Sequence, residues 1–217
     1  MANSLAELGK AVSNPCGLAR KAIRDSAWLE ATMNGLEADT ALIKYGCAKA
    51  LRIISETRPV ALYPHFDFFA RLLNGDNRIL RWEALFVLSQ LASVDKENRF
   101  AAVFDKYFSP VPGPVMITAA NAIRGGSRIA RAKPALADRI AEEILKVEQA
   151  RYQTRECRNV AVGHAIIALG EILDLVSHPE PLLDFVRRQA KNARPATRKK
   201  AGQLLKKIQR RESNPAA

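Results

Sequence analysis

One pattern of apolar residues recurs five times along the 217-residue chain. In the clearest copy, which begins at Leu80, apolar residues occupy the first, fifth, eighth, ninth and twelfth positions. An α-helix turns by about 100° per residue, so these positions form one continuous stripe. The other copies begin at Ile43, Val115, Ala161 and Thr197. Because each stripe must be buried against a neighbour, this period predicts a stack of helical repeats.

A shorter apolar segment precedes each stripe and predicts a partner helix. These segments cover residues 27–36, 64–73, 100–108, 139–149 and 179–191, and residues 4–24 form a partial first pair with a break at 14–17. No alternation typical of a β-strand occurs. We therefore predict an all-α, right-handed α-α superhelix (solenoid) of about five to six helix pairs. It would be a single array over residues 1–217, with a partial N-terminal cap at 1–26 and a basic C-terminal cap at 179–211.

Two segments interrupt the regular spacing. Residues 109–114 contain three prolines and replace an ordinary turn with a stiff one. The run Gly125-Gly126-Ser127 predicts an early helix end, followed by a longer basic connection over residues 126–138.

The segment from Leu72 to Leu91 resembles a HEAT repeat. The residues that match the family's Leu-Leu-Asn ending, polar turn and Ala-rich second helix are Leu72, Leu73, Asn74, Leu80, Arg81, Ala84 and Leu88. Residues 192–205 match nearly as well, whereas Met116 and Val162 replace the usual Arg in two other copies. The resemblance implies armadillo-like stacking of helix pairs. It implies little about function, because such repeats are scaffolds for many partners.

The resemblance further implies that the second helix of each pair lines a concave side. The third, seventh and tenth positions of each copy lie opposite the stripe. They place a strip of aromatic and basic residues on that side, which we predict to bind a partner: Tyr45, Lys49, Arg52, Trp82, Phe86 and Arg124. Exposed aromatics among cations suit a protein, peptide or nucleic acid. Two alternatives stay open: Trp82 and Phe86 are buried between helices, and Gly163 and Gly170 serve close helix packing rather than a partner.

The formal charge of +12 is concentrated at the C-terminal end, where residues 188–217 hold ten Lys/Arg against one Asp/Glu. The cations that we predict to bind an anion or nucleic acid are Arg194, Arg198, Lys199, Lys200, Lys206, Lys207, Arg210 and Arg211. The alternative is a polar cap that keeps the end of the array soluble, with cations placed favourably at a helix C-terminus.

No sequence motif for catalysis, phosphate binding or metal coordination is present. The three histidines are scattered, and the three cysteines lack the spacing of a disulfide framework or a zinc site. No apolar run reaches the ~18 residues that span a bilayer, and no secretory signal begins the sequence. We therefore predict no catalytic residue, no cofactor, no metal, no membrane contact and a cytoplasmic location.

Two functions are compatible with these observations. In the first, the chain is a non-catalytic scaffold that binds an acidic protein or peptide through the concave strip. In the second, it binds nucleic acid and resembles the alkylpurine DNA glycosylases of this fold, with Trp82 and Phe86 stacking a base. No Asp accompanies Trp82 on the strip, so the second function is an analogy to that family.

Overall fold

The computed structural model describes residues 5–213, apart from the side chains of Leu5, Arg211 and Glu212. Every regular element in this range is helical, and short 3₁₀ turns join several of the α-helices. The helices are α1 (Leu5–Ala11), α2 (Pro15–Arg24), α3 (Ser26–Asn34), α4 (Ala41–Thr57), α5 (Phe66–Leu72), α6 (Arg78–Leu91), α7 (Phe100–Phe108), α8 (Met116–Ala132), α9 (Ala137–Leu145), α10 (Arg155–Ile172), α11 (Glu180–Gln189) and α12 (Pro195–Ser213). The predicted all-α class is confirmed.

The chain forms two compact units, Met1–Val103 and Phe104–Ala217, which divide within α7. In the first unit, α2 packs against α4 and α4 against α6. In the second unit, α8 packs against α10 and α10 against α12. The helices that carry the apolar stripe therefore lie side by side in each unit, while α3, α5, α9 and α11 pack beside them. That residues 1–217 form a single array stays a prediction.

In the first four copies the stripe residues are buried as the repeat predicts, apart from the half-buried Val115. In the last copy only Thr197 and Ala201 are buried, and the other three stripe residues are half-buried: Leu204, Leu205 and Ile208. The small residue at the fifth position of each copy is fully inaccessible to solvent: Cys47, Ala84, Ala119, Ala165 and Ala201. Leu51, Leu88 and Leu169, one turn further along three of these helices, are at most 1% exposed. Small side chains let two helix backbones approach, and the larger residues fill the space around them.

The helix starts show which copies keep the polar contacts of the repeat. Asn77 caps α6, because its side-chain oxygen accepts from the backbone N–H groups of Ile79 and Leu80 at 3.0 and 3.2 Å. Arg81 then reaches back and donates to the Gly75 carbonyl at 2.7 Å.

A second copy repeats this contact with the same spacing. Arg198 donates to the Asn192 carbonyl at 2.9 Å, again six residues earlier. By contrast, α8 begins after Val115 without a side-chain cap, and Met116 supplies no such contact. The departure from the family pattern thus has a local structural consequence at α8.

The prediction that α8 ends at Gly125-Gly126-Ser127 is wrong. The helix runs unbroken from Met116 to Ala132. A Cβ built on Gly126 would lie 3.0 Å from the Phe108 ring and 3.3 Å from both Ile140 and Ile144. Gly126 is therefore a point of close packing and does not end the helix. The extra length of α8 accounts for part of the longer spacing between this copy and the next.

The proline-rich segment is a turn, as predicted, and it is packed rather than exposed at its centre. Val111 is fully buried, and its carbonyl accepts a hydrogen bond from the Tyr152 hydroxyl. Arg151 donates its backbone N–H to the Pro112 carbonyl at 2.9 Å. Gly113 has a φ of +117° and lies so close to the Arg151 carbonyl that a Cβ would clash with it. The turn is thus fixed against residues 151–152.

One pair of substitutions tests the packing role of Gly126. Gly126→Leu should lower the free energy of unfolding by about 1–3 kcal/mol, because the added atoms overpack the contact with Phe108, Ile140 and Ile144. The matched variant Gly202→Leu places the same side chain where nothing lies within 4 Å of a Cβ. It should raise stability by about 0.5–1 kcal/mol through helix propensity.

Chemical denaturation followed by circular dichroism measures both changes. Equal effects of the two substitutions would contradict the packing role of Gly126.

Candidate partner-binding surface

In the first unit, α4 and α6 present the predicted aromatic strip, here defined as Tyr45, Lys49, Arg52, Trp82 and Phe86. Tyr45 and Lys49 are exposed, and Arg52, Trp82 and Phe86 are half-buried. The Tyr45 hydroxyl accepts from the Asn77 amide at 3.4 Å. Since Asn77 caps α6, this contact links the α4 end of the strip to the start of the next long helix.

Arg52 is the centre of the strip. Its guanidinium carbon lies 3.8 Å from the centroid of the Phe86 ring, which is a close cation–π stack between α4 and α6. The same guanidinium is 3.5 Å from a Glu83 oxygen and 4.0 Å from a Glu56 oxygen. The flat guanidinium therefore covers one side of Phe86, and two carboxylates balance its charge.

Glu83 was missed by the sequence analysis because it occupies the fourth position of its copy, between the buried stripe and the predicted strip. Burial raises the pKa of its carboxyl, and the charge of Arg52 opposes that rise while Glu56 adds to it. Its Oε2 atom is buried and has no hydrogen-bond partner within residues 5–213. The sequence signal that was available for Glu83 is that an acidic residue in one copy can pair with an Arg, here Arg52, in the adjacent copy.

The sixth predicted strip residue, Arg124, belongs to the second unit. It lies exposed on α8 and donates to the Asn121 amide oxygen at 2.6 Å. On α10, His164 has a lowered pKa, caused by burial and then by the positive charges of Arg124, Lys200 and Arg194. The lowered pKa keeps His164 neutral near pH 7, so the positive charge of this region comes from Arg124, Lys200 and Arg194, which we call the cationic cluster.

The predicted C-terminal cations divide into groups with different surroundings. Arg194 donates to the Glu156 carboxylate at 2.7 Å, and Lys200 donates to the Gly163 carbonyl at 3.3 Å, so both hold α12 against α10. Burial and the charge of Arg194 lower the pKa of Lys200. Three exposed residues share one side of α12: Lys199, Lys206 and Arg210. Arg198 contacts its own turn, Lys207 is exposed, and the Arg211 side chain lies outside the described residues.

The two glycines on α10 pack against α12. A Cβ on Gly163 would lie 3.0 Å from the Thr197 hydroxyl, and one on Gly170 would lie 3.0 Å from Leu204. Of the two alternatives for these glycines, the structure supports close helix packing. Ile167, between them in the sequence, is 46% exposed.

No protein-family model matches this chain, and no curated protein matches it. Among solved structures, it is similar to the designed armadillo repeat protein YIII(Dq)4CqI, with 14% identity over 94% of each chain and a TM-score of 0.62. It is also similar to the designed armadillo repeat protein YIII(Dq.V1)4CPAF in complex with peptide (KR)4, with 16% identity, coverage of 94% and 95%, and a TM-score of 0.59. The fold is an armadillo-like helical repeat.

The chain is also similar to an engineered protein from the Northeast Structural Genomics Consortium, with 18% identity, coverage of 94% of this chain and 87% of that chain, and a TM-score of 0.56. These likenesses confirm the predicted armadillo-like solenoid class. At 14–18% identity these likenesses show only the fold. What the surface of the chain can bind must be inferred from its own residues.

Two further findings bear on function. None of the helices within residues 5–213 is long and apolar enough to cross a bilayer. In the same range, no three His, Cys, Asp or Glu side chains are grouped so that they could hold a metal ion.

The partly buried carboxyl of Glu83 gives a pH-dependent prediction. Because its pKa is higher in the folded than in the unfolded chain, Glu83 favours folding at low pH, and this contribution is lost as the pH rises through the raised value. Compared with Glu83→Gln, the wild-type chain should therefore lose relative thermal stability as the pH rises from about 4, near the ordinary carboxyl pKa, through the raised pKa of Glu83.

Thermal unfolding at constant ionic strength measures this difference. Glu142→Gln, which changes an exposed side chain on α9, is the control. If the difference in melting temperature between the wild-type chain and Glu83→Gln stays constant with pH, burial of Glu83 is not coupled to its protonation.

Proposed function

We propose that this armadillo-like chain is a non-catalytic scaffold that binds a peptide segment of a protein partner through the aromatic strip of its first unit. The observation that carries the proposal is the Arg52–Phe86 stack, held at 3.8 Å beside Glu83. The stack fixes two large side chains before any partner arrives.

Fixed aromatic and arginine side chains are efficient binding groups. Tyr, Trp and Arg are the residues that most often dominate interface energies. Binding usually costs about 0.5–1.5 kcal/mol for each flexible side chain that becomes ordered, and a side chain already held in place avoids that cost. Trp82 is half-buried and Tyr45 is 36% exposed, so both retain surface for a partner. A peptide that crosses α4 and α6 would cover them together.

The fold supports this type of partner. One similar armadillo repeat protein is in complex with the peptide (KR)4, which is basic. Here the opposite charge is proposed for the peptide. Lys49 is exposed on the strip, whereas the charge of Arg52 is balanced by Glu56 and Glu83. Support for an acidic peptide at the strip therefore comes from Lys49.

The alternative function, nucleic-acid binding, has its support on α12. Lys199, Lys206 and Arg210 are exposed at intervals of seven and four residues and so lie along one side of the helix. Such a row suits a phosphate backbone. The strip offers less support, because Arg52 already covers one face of Phe86 where a base would stack.

Peptides selected from a random display library against the wild-type chain test the proposal. Trp82→Ala and Phe86→Ala should each weaken binding of such a peptide by about tenfold or more, as expected for anchor residues. The matched control is Phe68→Ala, because Phe68 is also a half-buried Phe near an Arg (Arg71, 5.9 Å) but lies on the short helix α5. It should change the affinity less than twofold.

Fluorescence anisotropy gives the affinities, and circular dichroism checks that each variant keeps its helical content. Equal losses of peptide affinity for Phe68→Ala and Trp82→Ala would contradict the assignment of the aromatic strip as the binding surface. Tight binding of duplex DNA, with a log–log salt slope that grows by about 0.9 for each neutralised phosphate, would favour the alternative function.

A further inference from the structure

The second unit contains a groove between α10 and α12 that the aromatic strip does not explain. Its volume is about 360 Å³, at the lower end of the range for sites that bind small groups. Its apolar lining residues are Ile166, Ile167 and Leu204, and the accessible apolar surface comes from Ile167 and Leu204 because Ile166 is buried. Ile167 is 46% exposed, although the residues on either side of it in the sequence are buried. An exposed aliphatic residue inside a groove offers area for another aliphatic side chain.

Two lysines stand along the same groove. Lys200 and Lys207 both line it and are seven residues apart on α12, which corresponds to about 10.5 Å along the helix axis. Glu171 also lines the groove, but it accepts from the Ser127 hydroxyl at 2.7 Å and lies 3.6 Å from Arg131. The carboxylate of Glu171 is thus already engaged by α8, and the groove keeps a positive side on α12.

The cationic cluster continues this positive side. His164 on α10 experiences the charges of Arg124 and Lys200, and these lower its pKa in addition to burial. Arg194 contributes as well, although it is paired with Glu156. An anion in this region would relieve the repulsion among these groups.

We propose that the groove binds an aliphatic side chain of a partner peptide together with a neighbouring carboxylate. The aliphatic side chain packs on Ile167 and Leu204, and the carboxylate lies between Lys200 and Lys207. This inference rests on the proposed function, because the occupant is a segment of the bound partner. The apolar surface favours a peptide over a nucleic acid, since a phosphate backbone brings no aliphatic group to bury.

The experiment uses the full-length chain and four probes of equal length. They are an eight-residue peptide of alternating Glu and Leu, the same peptide with Ser in place of Leu, the same peptide with Lys in place of Glu, and the oligonucleotide dT8. Binding is measured by fluorescence anisotropy. In parallel, NMR follows the pKa of His164 and the methyl signals of Ile167. His164→Gln assigns the His164 signal among the three histidines.

The Glu-Leu peptide should bind, raise the pKa of His164 and shift the Ile167 methyl signals. The Glu-Ser peptide should bind at least threefold more weakly, and the Lys-Leu peptide should not bind. Lys207→Met should weaken the Glu-Leu peptide by about three- to tenfold, since it removes the charge and keeps the apolar stem. Lys191→Met, which changes an exposed lysine that does not line the groove, is the matched control and should have no effect.

Three results would overturn the inference. The first is no binding of the Glu-Leu peptide. The second is binding that leaves His164 and Ile167 unchanged, which would place the peptide elsewhere. The third is an equal response to dT8 or to the Glu-Ser peptide, which would mean that anions are bound without an aliphatic group. None of these three results affects the experiment with Trp82→Ala and a library-selected peptide. That experiment tests the proposed function independently of the groove.

Discussion

The structure depends on the burial of one apolar stripe against its neighbours, repeated from helix to helix. Each stripe has a small residue where two long helices meet, such as Ala84 or Ala165, and a larger residue one turn further along. Full burial of a Leu or Ile side chain contributes about 1.5–3 kcal/mol relative to exposure. Since a long helix buries its stripe against the helices that pack beside it, the same constraint determines which side of the helix remains available to a partner.

The helix surface that remains available to a partner differs between the two units. In the first unit, an Arg–Phe stack and a half-buried Glu produce a surface that is aromatic and nearly balanced in charge. In the second unit, glycines let α12 pack closely on α10, and lysines line the groove between them. We therefore propose different ligand groups for the two surfaces: large flat groups for the first, and an aliphatic group with a carboxylate for the second.

The sequence was sufficient for features that depend on a period, and insufficient for features that depend on a specific neighbour. The stripe period predicted the long helices and their buried positions, because one helical face repeats whatever the partner is. Gly126 was misassigned because a glycine in a helix has two explanations, and only the position of Phe108 distinguishes them. Glu83 was missed for the same reason, since its importance comes from Arg52 on another helix. The strip residues themselves were found from the period, whereas the stack of Arg52 on Phe86 required coordinates.

Hydrogen–deuterium exchange on the complex with a library-selected peptide tests the central claim most directly. If the partner lies across the long helices of the first unit, the added protection should fall on α4 and α6 and leave α3 and α5 unchanged. Protection confined to α3 and α5, or to α12 alone, would contradict the claim that the aromatic strip is the binding surface.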